Sequence, residues 1–518
     1  MSLVRAFLIA IAVVATVYGG FRLLRALERP ETRLESVRCW FNPPPLRSAQ
    51  CFRFTAPESR ETASNRVVRI PVVILRSPST PPDEPPVLHL MGGPGQPAGI
   101  ATSRGVAAWA RLLNRDQWAR DRDHILVDTR GVGVLASPRL RCAALSDTRW
   151  ALRLDALGDG PEAIREIDKT VGACRAAFAR AGVDLGAYDT EAAARDLADL
   201  RRALKLPGWT VYGISYGARL ALELMRIDPG GVHAAILDSV PPPDQPLLTT
   251  LLPDMQHSLD LLYADCRAST ECHGAYPELR RSLERTVIRL RGHPVNLSVR
   301  KPKGSATLSL RLDDGTYLQI LEYGLMTGGW LPFLPGIIDD TAKGGTKLLA
   351  HLATAAAFDP YGETDSNGVL LSSLCREELP YNPENALDQA RTGHPLLRGM
   401  DMTAMLRAEC RAWSVGEAPR AFRQPVESDV PTLFVNGAYD TRTPPRFAER
   451  QAAHMANGIR LVLRARGHAP SRSSACAKAA MAAFLDAPRG AEPPACVRFQ
   501  APPHFLSRRG PEAAIKNL

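Results

Sequence analysis

The sequence predicts an α/β protein: a mostly parallel sheet with helices on both faces, interrupted by an inserted and mainly helical lid. Three observations predict it. From Val67 to Asp238, short apolar and β-branched runs alternate with stretches of helical periodicity, the pattern of a parallel sheet buried on both faces. The alternation stops at "SVPPPDQP" and gives way to mainly helical sequence from about Pro246 to Arg423. Strand logic then resumes at "PTLFVNG", Pro431 to Gly437, so two sheet-forming blocks flank the insertion.

The elements follow in order. The N-terminal segment "MSLVRAFLIAIAVVATVYGGFRLLRALERP" puts one arginine, Arg5, before an apolar run from Ala6 to Tyr18. That run is short for a membrane span and fits a signal peptide, with an uncleaved membrane anchor as the alternative. Arg22 and Arg25 follow it, so the flanking charges leave the orientation open. Val67 to Leu75 reads as a strand, as does Val87 to Met91, which runs into the glycine–proline turn of "MGGPG". His124 to Asp128 is another strand, ending in the turn-rich "TRGVGVLASP". Ala163 to Ala181 is a helix, and Thr190 reads as the N-cap of the next, with Leu197, Leu200 and Leu204 along its buried face. "WTVYGI" is a strand, Tyr216 to Ile227 a helix, and His233 to Asp238 a strand.

Within the insertion, "RKPKGSATLSLRLDD" reads as a basic, polar interlude. Beyond it, "RFAERQAAHM" is a helix, "IRLVLR" a strand and "SACAKAAMAAFLD" a closing helix, and the tail from Ala501 is expected to be poorly ordered. The boundaries are then 1–30 for the signal peptide or anchor, 31–245 for the first part of the core, 246–425 for the lid, 426–500 for the second part of the core and 501–518 for the tail.

Composition narrows the class. Hydrophobic residues make up 45% and charged residues 23% of the 518, which is globular and not disordered. The 64 Lys and Arg exceed the 54 Asp and Glu by ten, but they are scattered and not interleaved with aromatic residues. This describes a solvated basic surface, and nucleic acid is not an expected partner. The ten cysteines fall into sequential couples: Cys39 with Cys51, Cys142 with Cys174, Cys266 with Cys272, Cys375 with Cys410, Cys476 with Cys496. None has metal-site spacing with histidines nearby. An even count behind an export signal favours disulfides and an oxidising compartment, hence an exported protein, periplasmic, membrane-anchored or secreted. Sequence alone does not fix the connectivity.

The chemistry centres on "GISYG". A nucleophilic serine must be reachable, must have a base for its proton and must have donors for the developing oxyanion. Gly213-x-Ser215-x-Gly217 between a strand and a helix meets the first need, because a sharp turn holds the serine out and the glycines let strand and helix approach. A base and an acid are expected on loops after later strands. "FVNGAYDTRTPP" places Asp440 after one, and "LVLRARGHAP" places His468 after the next. Asp238, at the end of an earlier strand, competes for the acid role but reads better as a loop-fixing acceptor. The expected oxyanion donors are the backbone N–H of Tyr216, opening the helix, and one from Gly92 or Gly93. Such a site needs no metal and no organic cofactor.

"MGGPG", "VDTRGVGVLASP", "YDTEAAARDLADLRRAL", "GISYGARLAL", "LDSVPPPD", "NGAYDTRTPP" and "GHAPSRSSAC" occur in an order and spacing that resemble the proline iminopeptidase and tripeptidyl aminopeptidase branch of the α/β-hydrolases. The resemblance covers Val37 to Phe499 and implies an α/β-hydrolase fold with a TAP-like C-terminal region. It implies Ser215 as nucleophile, Asp440 as acid and His468 as base, acting on peptide N-termini in an exported enzyme. The family loop often carries a histidine where this chain has Met91, so no side-chain role for that histidine carries over. "SSLCREELPY" looks like the family's Cys-x-acid-acid-x-Pro segment and offers Glu377 and Glu378 as ligands for a substrate's cationic α-amine. The competing expectation is an esterase or lipase-like hydrolase with the same three residues. "DTRG", Asp128 to Gly131, is expected to brace its loop by an aspartate–arginine contact, and the Tyr216 side chain to line the first pocket.

Overall fold

The computed structural model describes residues 31–62, 64–79, 84–154, 160–300, 307–357, 366–490, 492 and 494–506. Nine strands form one sheet in the order β1-β2-β3-β5-β4-β6-β7-β10-β11. They are β1 (Arg33–Val37), β2 (Ser48–Pro57), β3 (Val67–Arg76), β4 (Val87–Leu90), β5 (His124–Val127), β6 (Trp209–Ile214), β7 (Val232–Asp238), β10 (Thr432–Gly437) and β11 (Gly458–Leu463). The pairs from β1 to β5 through β3 are antiparallel, and every pair from β5 onward is parallel.

The central strands are apolar throughout because both faces are covered. Every residue of β4, β5, β6 and β10 is buried. Alternation assigns their side chains to two cores. Val211, Ala235, Leu237 and Phe434 pack on one face with Leu220 and Leu224 of the helix Tyr216–Ile227. Tyr212, Ile236, Leu433 and Val435 pack on the other with Met481 and Phe484 of the helix Ala475–Asp486. The free edge of β11 is closed by a side chain: Gln500 donates to Val462 O at 2.7 Å and accepts from Arg464 N at 2.7 Å, taking the place of a tenth strand.

Between β7 and β10 the chain builds a third core of its own. The helices Leu247–Ala268, Leu279–Gly292, Asp314–Met326, Leu334–Ala342 and Lys347–Ala357 supply most of it. Four points differ from the sequence reading. The basic interlude carries an antiparallel hairpin, β8 (Val295–Arg300) with β9 (Thr307–Leu312), whose Leu297, Val299, Leu310 and Leu312 point inward. The N-cap of the helix Thr190–Ala203 is Asp189, which accepts from Ala192 N. Arg130 pairs with Asp196 and not with Asp128, whose carboxylate instead accepts from Ala98 N at 2.5 Å. The tail is docked as far as Leu506: Phe505 is buried among the insertion's helices, and Leu506 N donates to Pro332 O at 3.0 Å. Burying a phenylalanine is worth about 1.5–3 kcal/mol, enough to hold a short terminal stretch.

All ten cysteines are bridged, in the sequential couples named above. Denaturing the purified protein without reductant in the presence of a maleimide is therefore expected to modify none of them, read as an unchanged intact mass. Among the described residues no helix is long and apolar enough to cross a membrane. The apolar run from Ala6 to Tyr18 lies outside the described residues.

Candidate active site

Ser215 sits between β6 and the helix Tyr216–Ile227 with φ 56° and ψ −122°, a conformation that costs a non-glycine residue about 1–3 kcal/mol. The surroundings hold it there. Ser215 N donates to Asp238 O at 2.8 Å on the neighbouring strand. A Cβ on Gly213 would stand 2.4 Å from Gly217 O, and one on Gly217 would stand 2.1 Å from Leu90 O, so only glycine lets helix, β6 and β4 close around the turn. The N–H groups of Tyr216 and Gly217 open the helix and have no carbonyl partner within it. The loop after β4 faces this turn: a Cβ on Gly92 would be 3.5 Å from Ser215 Cβ, and Gly93 follows with φ 110°.

Asp440 and His468 come together on the loops after β10 and β11. His468 Nδ1 and Asp440 Oδ2 are 2.8 Å apart. Asp440 is fully enclosed, while the His468 side chain keeps 19% of its surface exposed. Thr443 completes the pair, with its N–H on Asp440 Oδ1 at 2.9 Å and its hydroxyl on Oδ2 at 2.7 Å; Arg442 N adds a further donor to Oδ1 at 3.0 Å. Burial alone would raise the Asp440 pKa, but the His468 ring and the Thr443 donors outweigh it and hold the carboxyl at about 2. For His468 burial opposes charge, the Asp440 carboxylate outweighs it, and the pKa rises. Among the described residues no hydrogen bond joins Ser215 Oγ to the His468 ring.

Asp238 has a different employment. Its Oδ2 accepts from Ser471 N at 3.0 Å and from the Ser471 hydroxyl, and its Oδ1 from Ser239 Oγ at 3.0 Å. Ser239 Oγ in turn accepts from Ala469 N at 2.9 Å. Ser239 and Ala469 both hold positive φ, 57° and 54°. One dipeptide thus fixes the loop just after His468 and, through the Asp238 carbonyl, the Ser215 turn as well. Ser239, Ser471 and Thr443 were not singled out in the sequence, since a serine or threonine beside a glycine-rich loop carries no distinctive local signal.

The two glutamates of the insertion are buried and committed to protein groups. Glu377 accepts from Thr190 N at 2.6 Å, Thr190 Oγ1 at 2.7 Å and Ser373 Oγ at 2.8 Å. Burial and the nearby Asp189 push its pKa up to about 7 against the Thr190 bonds. Glu378 pairs with Arg219 of the helix Tyr216–Ile227 and, at 3.1 Å, with Arg423. Tyr216 is buried in the core below the turn, with its hydroxyl 3.0 Å from Thr190 Oγ1, so the ring braces the helix. Among the described residues no group of His, Cys, Asp and Glu could hold a metal ion.

Comparison with known proteins agrees with this architecture. A family model described as alpha/beta hydrolase fold matches residues 85–290, the stretch with Ser215, and one described as TAP-like protein matches residues 395–494, the stretch with Asp440 and His468. Similar solved structures include a proline iminopeptidase of Mycobacterium smegmatis, at 13% identity over 84% of this chain and 98% of that chain with a TM-score of 0.37. A thermophilic esterase from Thermogutta terrifontis is similar at 13% identity over 83% and 97%, TM-score 0.33, and an esterase from Exiguobacterium antarcticum at 14% identity over 78% and 90%, TM-score 0.31. No curated protein matches the sequence. From its sheet order and its two matched stretches, the chain has an α/β-hydrolase fold, with a C-terminal stretch that is similar to TAP-like proteins.

Proposed function

We propose that this protein is a serine hydrolase that cleaves short units from the amino ends of peptides through an acyl-enzyme. The observation that carries the reading is the 2.8 Å Asp440–His468 hydrogen bond on the loops beyond a strained serine turn. His468 Nε2 takes the Ser215 proton as Oγ attacks the carbonyl carbon. The N–H groups of Tyr216 and of Gly92 or Gly93 stabilise the oxyanion. The C–N bond then breaks, His468 gives its proton to the leaving amine, and water attacks the acyl-serine with His468 again as base. Asp440, ionised at neutral pH, orients the ring and stabilises its cation. The His468–Ser215 bond forms as substrate closes the site. Residues 246–425 act as the lid that decides which substrates reach Ser215, and the five disulfides support an exported, periplasmic or secreted setting.

His468 must be neutral to act as base. Its pKa is raised, so the acid limb of kcat/KM is expected above pH 6.5, with activity rising as pH increases through the folded pKa. A pH profile on an ester and on an amide substrate checks this.

A second reading, a carboxylic ester hydrolase with the same three residues, is favoured by one observation: Glu377 and Glu378 already accept bonds from protein donors. A panel of aminoacyl and tripeptidyl amides with free and blocked amino ends, beside simple esters, separates the two. The peptidase reading expects a strong preference for the free amine. Indifference to blocking, with esters preferred, overturns it in favour of the esterase.

A further inference from the structure

One helix of the insertion touches both loops that carry the acid and the base. At the end of the helix Asp314–Met326, Met326 O accepts from His468 N at 2.8 Å. Gly467 is packed so tightly there that a Cβ would stand 2.3 Å from both Leu325 O and Met326 O. One turn earlier, the buried Glu322 engages the acid loop. Its Oε1 accepts from Thr441 Oγ1 at 3.1 Å and Arg442 Nε at 2.6 Å, and its Oε2 from Arg442 Nη2 at 2.9 Å.

Thr441 and Arg442 directly follow Asp440, so a guanidinium stands beside the carboxylate that orients His468. Two anions can claim that cation. The bidentate fork gives it to Glu322, the stronger geometry for an arginine. Asp440 is left to His468, Thr443 and the Arg442 backbone N–H. The other acid of this helix, Asp314, is held by Arg291. The charged groups facing His468 are Asp440, Asp238 and Arg472, and Asp254 lies within the field of Asp440.

We propose that Glu322 is a positioning residue: it keeps the Arg442 charge off Asp440, so that the acid stays committed to His468, and it ties the seat of the insertion to the assembly of that pair. This rests on the reading of Ser215, Asp440 and His468 as the catalytic residues. Without the Glu322 charge, Arg442 has Asp440 as its nearest anion, and the field that favours the His468 cation weakens.

The test uses the full chain and the rate of labelling by a fluorophosphonate between pH 5 and 9, with KM for a simple ester and the melting temperature alongside. Glu322→Gln is expected to slow labelling by on the order of 10-fold, to move the acid limb to lower pH and to leave KM unchanged. The double variant E322Q/R442Q, which removes the stranded cation, is expected to recover most of the rate. Glu322→Asp, which keeps the anion, is expected to keep the parental acid limb and serves if the glutamine variant does not fold. An unaltered rate in E322Q overturns the proposal. So does a slowed rate with an unmoved acid limb and no recovery in the double variant, which marks Glu322 as a purely structural contact. An acid limb that moves in E322D as well has the same force. Labelling that persists in Ser215→Ala instead overturns the catalytic reading itself, and so the two failures are distinct.

Discussion

Ser215→Ala is expected to abolish fluorophosphonate labelling and to lower kcat by on the order of 10⁴-fold or more, while the melting temperature stays the same or rises. The first effect follows from chemistry: alanine has no oxygen to attack a carbonyl, and the remaining donors of the site stabilise only what an unaided water can form. The second follows from the backbone. Residue 215 holds a positive φ whichever side chain it carries, and the serine hydroxyl makes no hydrogen bond with the His468 ring that the fold would miss. Activity and stability should therefore separate. A variant that loses both would indicate a structural serine, and one that keeps its labelling would move the nucleophile elsewhere. Measuring labelling, steady-state rates and thermal unfolding on one preparation decides it.

Glu378→Ala should be the most damaging single change to the fold away from the candidate active site. Glu378 stands between Arg219 and Arg423, and the side chains of Glu378 and Arg219 are all but fully enclosed. Arg219 is also spent on Pro241 O at 2.9 Å and Pro242 O at 3.2 Å, and Arg423 on Gln245 O at 2.9 Å and Glu377 O at 3.0 Å. Removing the carboxylate leaves buried cations without their counter-ion, and such losses run to about 3–5 kcal/mol. The expected result is a clear drop in the urea midpoint and faster proteolysis within the insertion. Arg280→Ala supplies the scale. It breaks an ion pair with Asp260 in which both partners are largely solvated, where about 1 kcal/mol or less is expected. If the two variants unfolded alike, the buried network would not be what seats the insertion on the core.

What the sequence revealed, and what it hid, divides by range. The serine turn and Asp440 were legible because each follows a buried apolar strand, and His468 because it follows the edge strand "IRLVLR", where the local pattern is enough. The hairpin β8–β9 was hidden because Arg300, Lys301 and Lys303 dominate the composition of that stretch, although Leu297 and Val299 on one strand and Leu310 and Leu312 on the other keep the period of two. Asp189 and Thr190 are both good cap formers, and the choice fell to Asp189 because the Thr190 hydroxyl is claimed by Glu377, 187 residues away. Glu378 and Arg130 also have partners beyond the reach of local pattern, Arg423 at 45 residues and Asp196 at 66. No local pattern reports a bond from Arg219 to Glu378, 159 residues on, and that is why these carboxylates read as substrate ligands when their own chain occupies them.

The pairing of β7 with β10, Ala235 beside Thr432 and Asp238 beside Val435, joins two halves of the chain that are made far apart in time. The serine turn packs against β4, β6 and β7, whereas His468, its proposed base, follows the whole insertion and both later strands in the chain. On the proposed reading of Ser215 and His468, the pair is complete only once the last tenth of the chain has been added.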